Sequence, residues 1–417
     1  MNTHAPADAF ALPSLADIRA AADLIRGQVI RTPLLPAAQL SRLTGAKVFV
    51  KYENLQATGA FKERGAIVKL MSLDATQRAR GVIAMSAGNH AQAVAFHGAR
   101  LGVPVVIVMP EPTPYVKVAA TRGYGARVVL AGETVAEAQI EAERIAAAEG
   151  FTWIHPYDDT RVVAGQGTIG LEMIEDAPDL DTIVCPVGGG GLLSGLAIAA
   201  KALKPSVEII GVETELYPSL VAALKGTTAE CGGNTLAEGI AVKNVGRIAV
   251  AAARTLVDDV VTVPESAIER AINAFLTLQK TTAEGAGAAG LAALFTDPER
   301  YRGRRVGLVL TGGNVDARIL AAIVVRELTR EERIVSIRIR VPDRPRMLAD
   351  LAGIIGDLGG NILDVSHRRF FLDVHAKGAL VDITVETRDA DHAGEIVSAL
   401  KSRGFSVVRV PVAEARL

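Results

Sequence analysis

The sequence predicts an α/β protein: two lobes built on parallel sheets and sharing one cleft, followed by a smaller β-α-β-β-α-β unit. Three observations predict it. Short β-branched runs alternate with helix-like stretches from residue 48 to residue 310. A charged segment at residues 330–333 interrupts that rhythm. Beyond it, strands of period two and two helical stretches follow one another in ferredoxin-like order.

Taken in order, residues 48–51, 82–85, 105–109 and 127–130 read as strands, separated by helical stretches at 61–73, 89–101 and 114–124. Such alternation favours parallel pairing, because a parallel neighbour needs a crossover long enough to hold a helix. The rhythm resumes with a strand at 182–187, a helix at 193–203, a strand at 208–213, a helix at 265–279 and a strand at 306–310. A last helix is expected to run from Asp316 to about Arg330, which puts the boundary near Glu331 and divides the chain into 1–330 and 331–417. In the second part, strands are expected at 334–341, 362–369, 379–386 and 406–410, with helices at 347–358 and 392–403.

Bulk properties narrow the function. With 417 residues, 49% of them hydrophobic and 22% charged, the chain can bury large cores. A net charge of −1 provides no field to gather nucleic acid or an anionic membrane, so small molecules are the expected partners. Cys185 and Cys231 offer neither a disulfide framework nor metal-ligand spacing, and no metal is expected. Residues 1–12 lack the basic start and apolar stretch of a leader, and no window is long and apolar enough to span a bilayer; a cytoplasmic address is expected.

Four loops could carry chemistry. Lys62, in Gly59-Ala60-Phe61-Lys62-Glu63-Arg64-Gly65, sits where a turn-rich segment enters a helix. There the positive end of the helix dipole disfavours the charged amine and suits a nucleophile, although for this loop taken alone an ordinary surface lysine is the better reading. Ser86-Ala87-Gly88-Asn89-His90 lies between a strand and a helix, and its small residues let backbone N–H groups approach a carboxylate or an aromatic ligand. Gly188-Gly189-Gly190-Gly191 costs more backbone entropy than a plain turn needs, and a phosphate is its natural guest. The competing reading is a dinucleotide fingerprint, in which Ser194 would stand in the third glycine position and Glu213 would end the next strand. Thr311, in Thr311-Gly312-Gly313-Asn314, presents a neutral hydroxyl at a strand's C-terminal end, where open α/β sheets bind ligands; a simple helix cap is the alternative.

In this order the four loops resemble the fold-type II pyridoxal-phosphate enzymes of the tryptophan-synthase-β type, and within them the threonine dehydratases that carry a C-terminal ACT domain. The resemblance runs from about Ile30 to Val410. It implies pyridoxal 5'-phosphate as cofactor, with Lys62 linked covalently to it and shuttling the substrate Cα proton. Phe61 would pack beside the ring, Asn89 would bond the ring hydroxyl, and Gly188, Gly189, Gly190 and Gly191 would hold the phosphate. Thr311 would meet the pyridine nitrogen, and Ser86, Ala87, Gly88, Asn89 and His90 would embrace the substrate carboxylate. A hydroxyl partner does not force that nitrogen to be protonated, so a carbanion is held briefly and loss of a β-leaving group is favoured. The implied reaction converts L-threonine to 2-oxobutanoate and ammonia, with L-serine to pyruvate beside it.

Three positions depart from the family. Thr311 replaces a frequent serine. Ala87 stands where related serine racemases carry a second serine, which argues against racemisation. Ser219 replaces the later acid of a metal site that begins at Glu213 in some relatives. Gly165-Gln166-Gly167-Thr168 and Leu236-Ala237-Glu238-Gly239-Ile240 resemble segments near the cofactor, yet either reads equally as ordinary turn chemistry; His155 reads as a packed residue. In the C-terminal unit, residues 341–348 and Gly359-Gly360-Asn361 match the place where ACT domains bind an amino-acid effector, against the alternative of a purely structural pairing module. A homo-oligomer, dimer or tetramer, follows from the same likeness. Rival functions are serine racemisation, hydroxyaspartate elimination, a nicotinamide-dependent dehydrogenase on a similar sheet, and a silent amino-acid sensor.

Overall fold

The computed structural model describes residues 11–369 and 378–410, so the leader reading falls mostly outside the described residues. Packing divides the chain into Met1–Val315 and Asp316–Leu417.

The first unit holds two sheets. The smaller is wholly parallel, in the order Arg127–Leu130, Val105–Met109, Val82–Met85, Thr152–Trp153. The larger has six strands in the order Leu34–Pro36, Lys47–Tyr52, Arg305–Leu310, Thr182–Pro186, Glu208–Thr214, Asp259–Val263. Its first pair is antiparallel and the rest are parallel. Val105–Met109 and Thr182–Pro186 are buried along their whole length, as expected of parallel strands covered on both faces.

Helices place the loops. Thr160–Asp176 packs against both Lys62–Met71 and Gly191–Leu203, and its glycines make that approach possible. A Cβ on Gly165 would lie 2.6 Å from the Arg64 carbonyl oxygen, and one on Gly170 would lie 2.6 Å from that of Leu196. Gly165 to Thr168 are thus mid-helix packing residues, and the turn expected of them is absent.

Behind Lys62 lies a buried ionic knot. The Arg64 guanidinium donates to Glu53 at 2.8 Å and to Glu172 at 2.7 Å, and Lys51 Nζ donates to Glu172 and to the Thr32 carbonyl. Burial alone would lower the Arg64 pKa, but Glu53 and Glu172 hold it well above its ordinary value; burial would raise that of Glu53, and Arg64 overcomes it. A second buried contact joins Glu63 to His97 at 3.0 Å, and the other oxygen of Glu63 accepts the Thr58 N–H. Both flanks of the Lys62 turn are therefore anchored.

In the second unit, strands Asn361–Arg368, Gly378–Glu386, Ile334–Pro342 and Ser406–Val410 form an antiparallel sheet in that order. Ile337, Ile339, Val381 and Ile383 face Leu351, Ile355, Ile396 and Leu400 of helices Met347–Asp357 and Ala390–Ser402. The order matches the expected β-α-β-β-α-β unit. Helix Ala317–Arg330 packs against strand Ile334–Pro342 and groups by contacts with this unit. Arg346, the N-cap of helix Met347–Asp357, is held at φ 76°, a left-handed conformation that is uncommon outside glycine.

Candidate functional site

Lys62 is the first residue of its helix, capped by Phe61, as the sequence predicts. Its Nζ donates to the Pro156 carbonyl at 2.8 Å and stands 5.2 Å from the centre of the Phe61 ring. Burial pushes the amine down to about 8, against the opposing pull of Glu284. A far larger share of it is neutral at physiological pH than for an exposed lysine, as a nucleophile requires.

The loop before Lys62 is stitched to the loop after strand Arg305–Leu310. Phe61 N–H donates to the Thr311 carbonyl at 3.0 Å, Gly313 N–H donates to the Gly59 carbonyl at 3.0 Å, and Ala60 bridges to Gly312. Thr311, 3% exposed, thereby lies beside the Lys62 turn.

Asn89 opens helix Asn89–Leu101 at the end of the Ser86–His90 loop. Its amide is oriented from both sides: Nδ2 donates to Glu284 Oε1 at 2.8 Å, and Oδ1 accepts from Asn314 Nδ2 at 2.8 Å. An amide nitrogen has two protons, so one donor of Asn89 stays available to a ligand. Ser86 Oγ accepts the Gly88 N–H, and a Cβ on Gly88 would meet nothing within 4 Å, so that stretch is open to a guest. His90 contributes backbone alone. Its ring is buried and bonded through Nε2 to the Ile154 carbonyl at 3.0 Å, and burial followed by the Lys62 charge drives its pKa down to about 3.

The glycine run follows strand Thr182–Pro186 and enters helix Gly191–Leu203. A Cβ on Gly189 would collide with the Tyr157 ring, one on Gly191 would lie 2.8 Å from the Tyr157 carbonyl oxygen, and one on Gly188 would sit 3.0 Å from that of Gly239. Gly190 has φ 84°. These close approaches seat the neighbouring backbone, and the first N–H groups of the helix have no acceptor within it, as an anion site needs.

Glu284 belongs to none of the four loops that the sequence singles out. It caps helix Gly285–Thr296, its N–H donates to the Gly312 carbonyl at 3.0 Å, and its carboxylate joins Asn89 to the charge of Lys62. Burial raises its pKa to about 7, partly opposed by the Asn89 hydrogen bond and by Lys117. The available signal was an acid standing immediately before the Gly-Ala run 285–290. The segment Glu238–Ile240 passes over this group, and a Cβ on Gly239 would lie 3.6 Å from Glu284 Oε1.

Other candidates settle elsewhere. Glu213 accepts the Leu220 and Val221 N–H groups at 2.7 and 3.0 Å, so its carboxylate caps the following helix, and burial raises its pKa to about 7. His155 Nδ1 accepts the Tyr157 and Asp158 N–H groups. Among the described residues, no three His, Cys, Asp or Glu side chains group as a metal would need, and no helix is long and apolar enough to cross a membrane.

Comparison with known proteins gives the following. Residues 25–312 match the family model of the pyridoxal-phosphate dependent enzymes, and residues 335–409 match that of the ACT domain. The chain is 43% identical over 396 residues to an L-threonine ammonia-lyase of Thermotoga maritima, covering 94% of this chain and 98% of that one. It is 41% identical over 317 residues to the L-threonine dehydratase catabolic TdcB of Staphylococcus aureus, covering 75% of this chain and 92% of that one. Among solved structures, the processed form of threonine deaminase isoform 2 from Solanum lycopersicum superposes with a TM-score of 0.70 at 35% identity, over 75% of this chain and 91% of that one. A maize serine racemase does so with a TM-score of 0.72 at 33% identity, over 77% and 100%.

Proposed function

Because this chain belongs to the family of pyridoxal-phosphate dependent enzymes and carries an ACT domain, we propose that it is an L-threonine ammonia-lyase, with L-serine as a secondary substrate. The observation that carries the reading is the convergence of Lys62, Asn89, Glu284 and Thr311 with the glycine run around one cleft, in a chain so similar to such enzymes along its whole length.

The residues fit the cofactor. Lys62 offers a half-buried amine held near its titration point, Gly188 to Gly191 lie at a helix start that favours a phosphate, and Asn89 keeps a free donor. When bound, pyridoxal phosphate supplies the electron sink that makes the substrate Cα–H acidic. In this reading Lys62 takes the Cα proton, which balances the loss of the β-hydroxyl as water, and the Ser86–His90 backbone would hold the carboxylate. Glu284 fixes the orientation of Asn89, and Phe61 covers the ring. Thr311 gives the pyridine nitrogen a neutral partner, so loss of the β-hydroxyl outruns slower side reactions. Water lost in the elimination is regained when the released enamine hydrolyses, leaving 2-oxobutanoate and ammonia.

The likeness to serine racemase favours a racemising reading, but Ala87 offers no hydroxyl to protonate the far face of Cα. The division of labour expected from the sequence is retained: a catalytic region before the C-terminal unit, and an amino-acid effector at residues 341–348 with Gly359-Gly360-Asn361. A homo-oligomer belongs to the same reading, from the likeness to the family. The test is borohydride reduction of the holoenzyme followed by peptide mapping. Cofactor fixed on Lys62 together with complete loss of threonine turnover is expected; cofactor on another lysine, or undiminished turnover, would overturn the reading.

A further inference from the structure

A charge pair that none of the four loops contains joins segments packed with the two sheets of the first unit. Lys117 lies on helix Tyr115–Gly123, which belongs with the smaller sheet, and Glu238 opens the short helix Glu238–Ile240 between segments of the larger one. Lys117 Nζ donates to the Glu238 carboxylate, with side-chain exposures of 33% and 70%. The Glu238 segment is wedged in place. Gly188 abuts the Gly239 carbonyl oxygen and the Ile240 Cα at 3.0 Å each, and Gly239 abuts Ala286 Cβ at 3.0 Å, all measured from an added Cβ. One side of the pair is thus fixed on the glycine run and on the start of the Glu284 helix, while the other side packs with helix Asn89–Leu101 and strand Arg127–Leu130 of the smaller lobe.

We propose that Lys117 and Glu238 form an interlobe clasp that positions the cleft in its closed geometry during turnover, both acting as positioning residues rather than catalytic ones. The inference rests on the cleft being the site of reaction. Lobes that part for substrate and close over it would break and re-form such a contact in each cycle. A partly exposed ion pair is weak, yet a small bias suffices to shift an open–closed equilibrium. Glu284 reports on both partners. Asn89 donates to it, Lys62 and Lys117 stabilise its charge, and Glu238 opposes it.

The test uses the full-length holoenzyme with Lys117→Met, Glu238→Gln and the double reversal Lys117→Glu/Glu238→Lys. Each single variant is expected to raise KM for threonine roughly two- to fivefold with a smaller effect on kcat, and to remove the salt dependence of KM. Hydrogen exchange at residues 236–242 should quicken in both. The acid limb of the pH–rate profile should move up in Lys117→Met and down in Glu238→Gln. The double reversal should restore KM and exchange protection. Unchanged exchange in both single variants, an effect of Glu238→Gln that Lys117→Met does not share, or a double reversal no better than either single variant would each overturn the clasp. A wild-type protein that releases no oxo acid would sink the functional reading instead, and exchange alone would then decide the clasp.

Discussion

Lys62 and Glu284 form the electrical centre of the site, a half-buried base and a half-buried acid that each moderate the other's shift. Lys62→Ala should abolish oxo-acid release and leave the melting temperature within a few degrees of wild type, since a half-buried amine contributes little to a core. Activity above a few per cent without added amine would remove Lys62 from the mechanism. Glu284→Gln keeps the shape and an acceptor for Asn89 but cannot titrate. With the folded pKa raised to about 7 from an ordinary value near 4.5, the native state binds more protons than the unfolded chain between those values, so this carboxyl costs stability as pH rises through the window. The cofactor-free Glu284→Gln variant should therefore be more stable than wild type at pH 8, by on the order of 1–2 kcal/mol, and no more stable near pH 4. Urea unfolding at both pH values reads the difference, and a gain that does not change with pH would contradict the burial of that charge. Lys62, Asn89 and the glycines could be singled out from the sequence because each belongs to a local motif. Glu284 was not, since its role depends on strands far apart in sequence bringing Asn89 and Gly312 to it.

The elements that sequence reading located are those with a clear apolar rhythm: strands Val82–Met85, Val105–Met109 and Arg127–Leu130 and helix Asn89–Leu101 fall where expected. Helix Gly285–Thr296 was passed over because it is buried nearly all round and offers no polar face to set a period, and helix Thr160–Asp176 because the glycines at 165, 167 and 170 suggest a turn. These two helices nonetheless hold the site together, one by locking the Lys62 helix to the glycine-run helix, the other by presenting Glu284. The buried knot at Arg64 should be the costliest point to disturb. Arg64→Met leaves Glu53 and Glu172 short of their main partner and should cost about 3–5 kcal/mol, with weakened cofactor retention because the Lys62 turn loses its anchor. Chemical denaturation with dialysis of the holoenzyme measures both. A variant that keeps wild-type stability and cofactor would mean that the knot is dispensable.

At the scale of the whole molecule, the chemistry lies before Val315 and the C-terminal unit holds none of the cofactor loops. The order of strands beyond residue 333 was legible from period-two alternation, whereas the packing of helix Ala317–Arg330 with strand Ile334–Pro342 was not, because the helix reads as a continuation of the α/β rhythm. Ending the chain at Val315 should leave an active body that no longer responds to amino acids, whereas the full chain responds with a coupling of about 1–3 kcal/mol. Initial rates with and without isoleucine and valine check this, and a truncated enzyme that still responds would move the effector site into the catalytic body. The account as a whole is tested most directly by offering the purified holoenzyme threonine, serine and hydroxyaspartate, and scoring 2-oxo acid, ammonia and the enantiomer of each remaining amino acid. Threonine should yield equimolar 2-oxobutanoate and ammonia with the highest kcat/KM, serine less, and neither should racemise appreciably. Faster racemisation of serine than elimination from threonine, or no oxo acid from threonine at all, would contradict it.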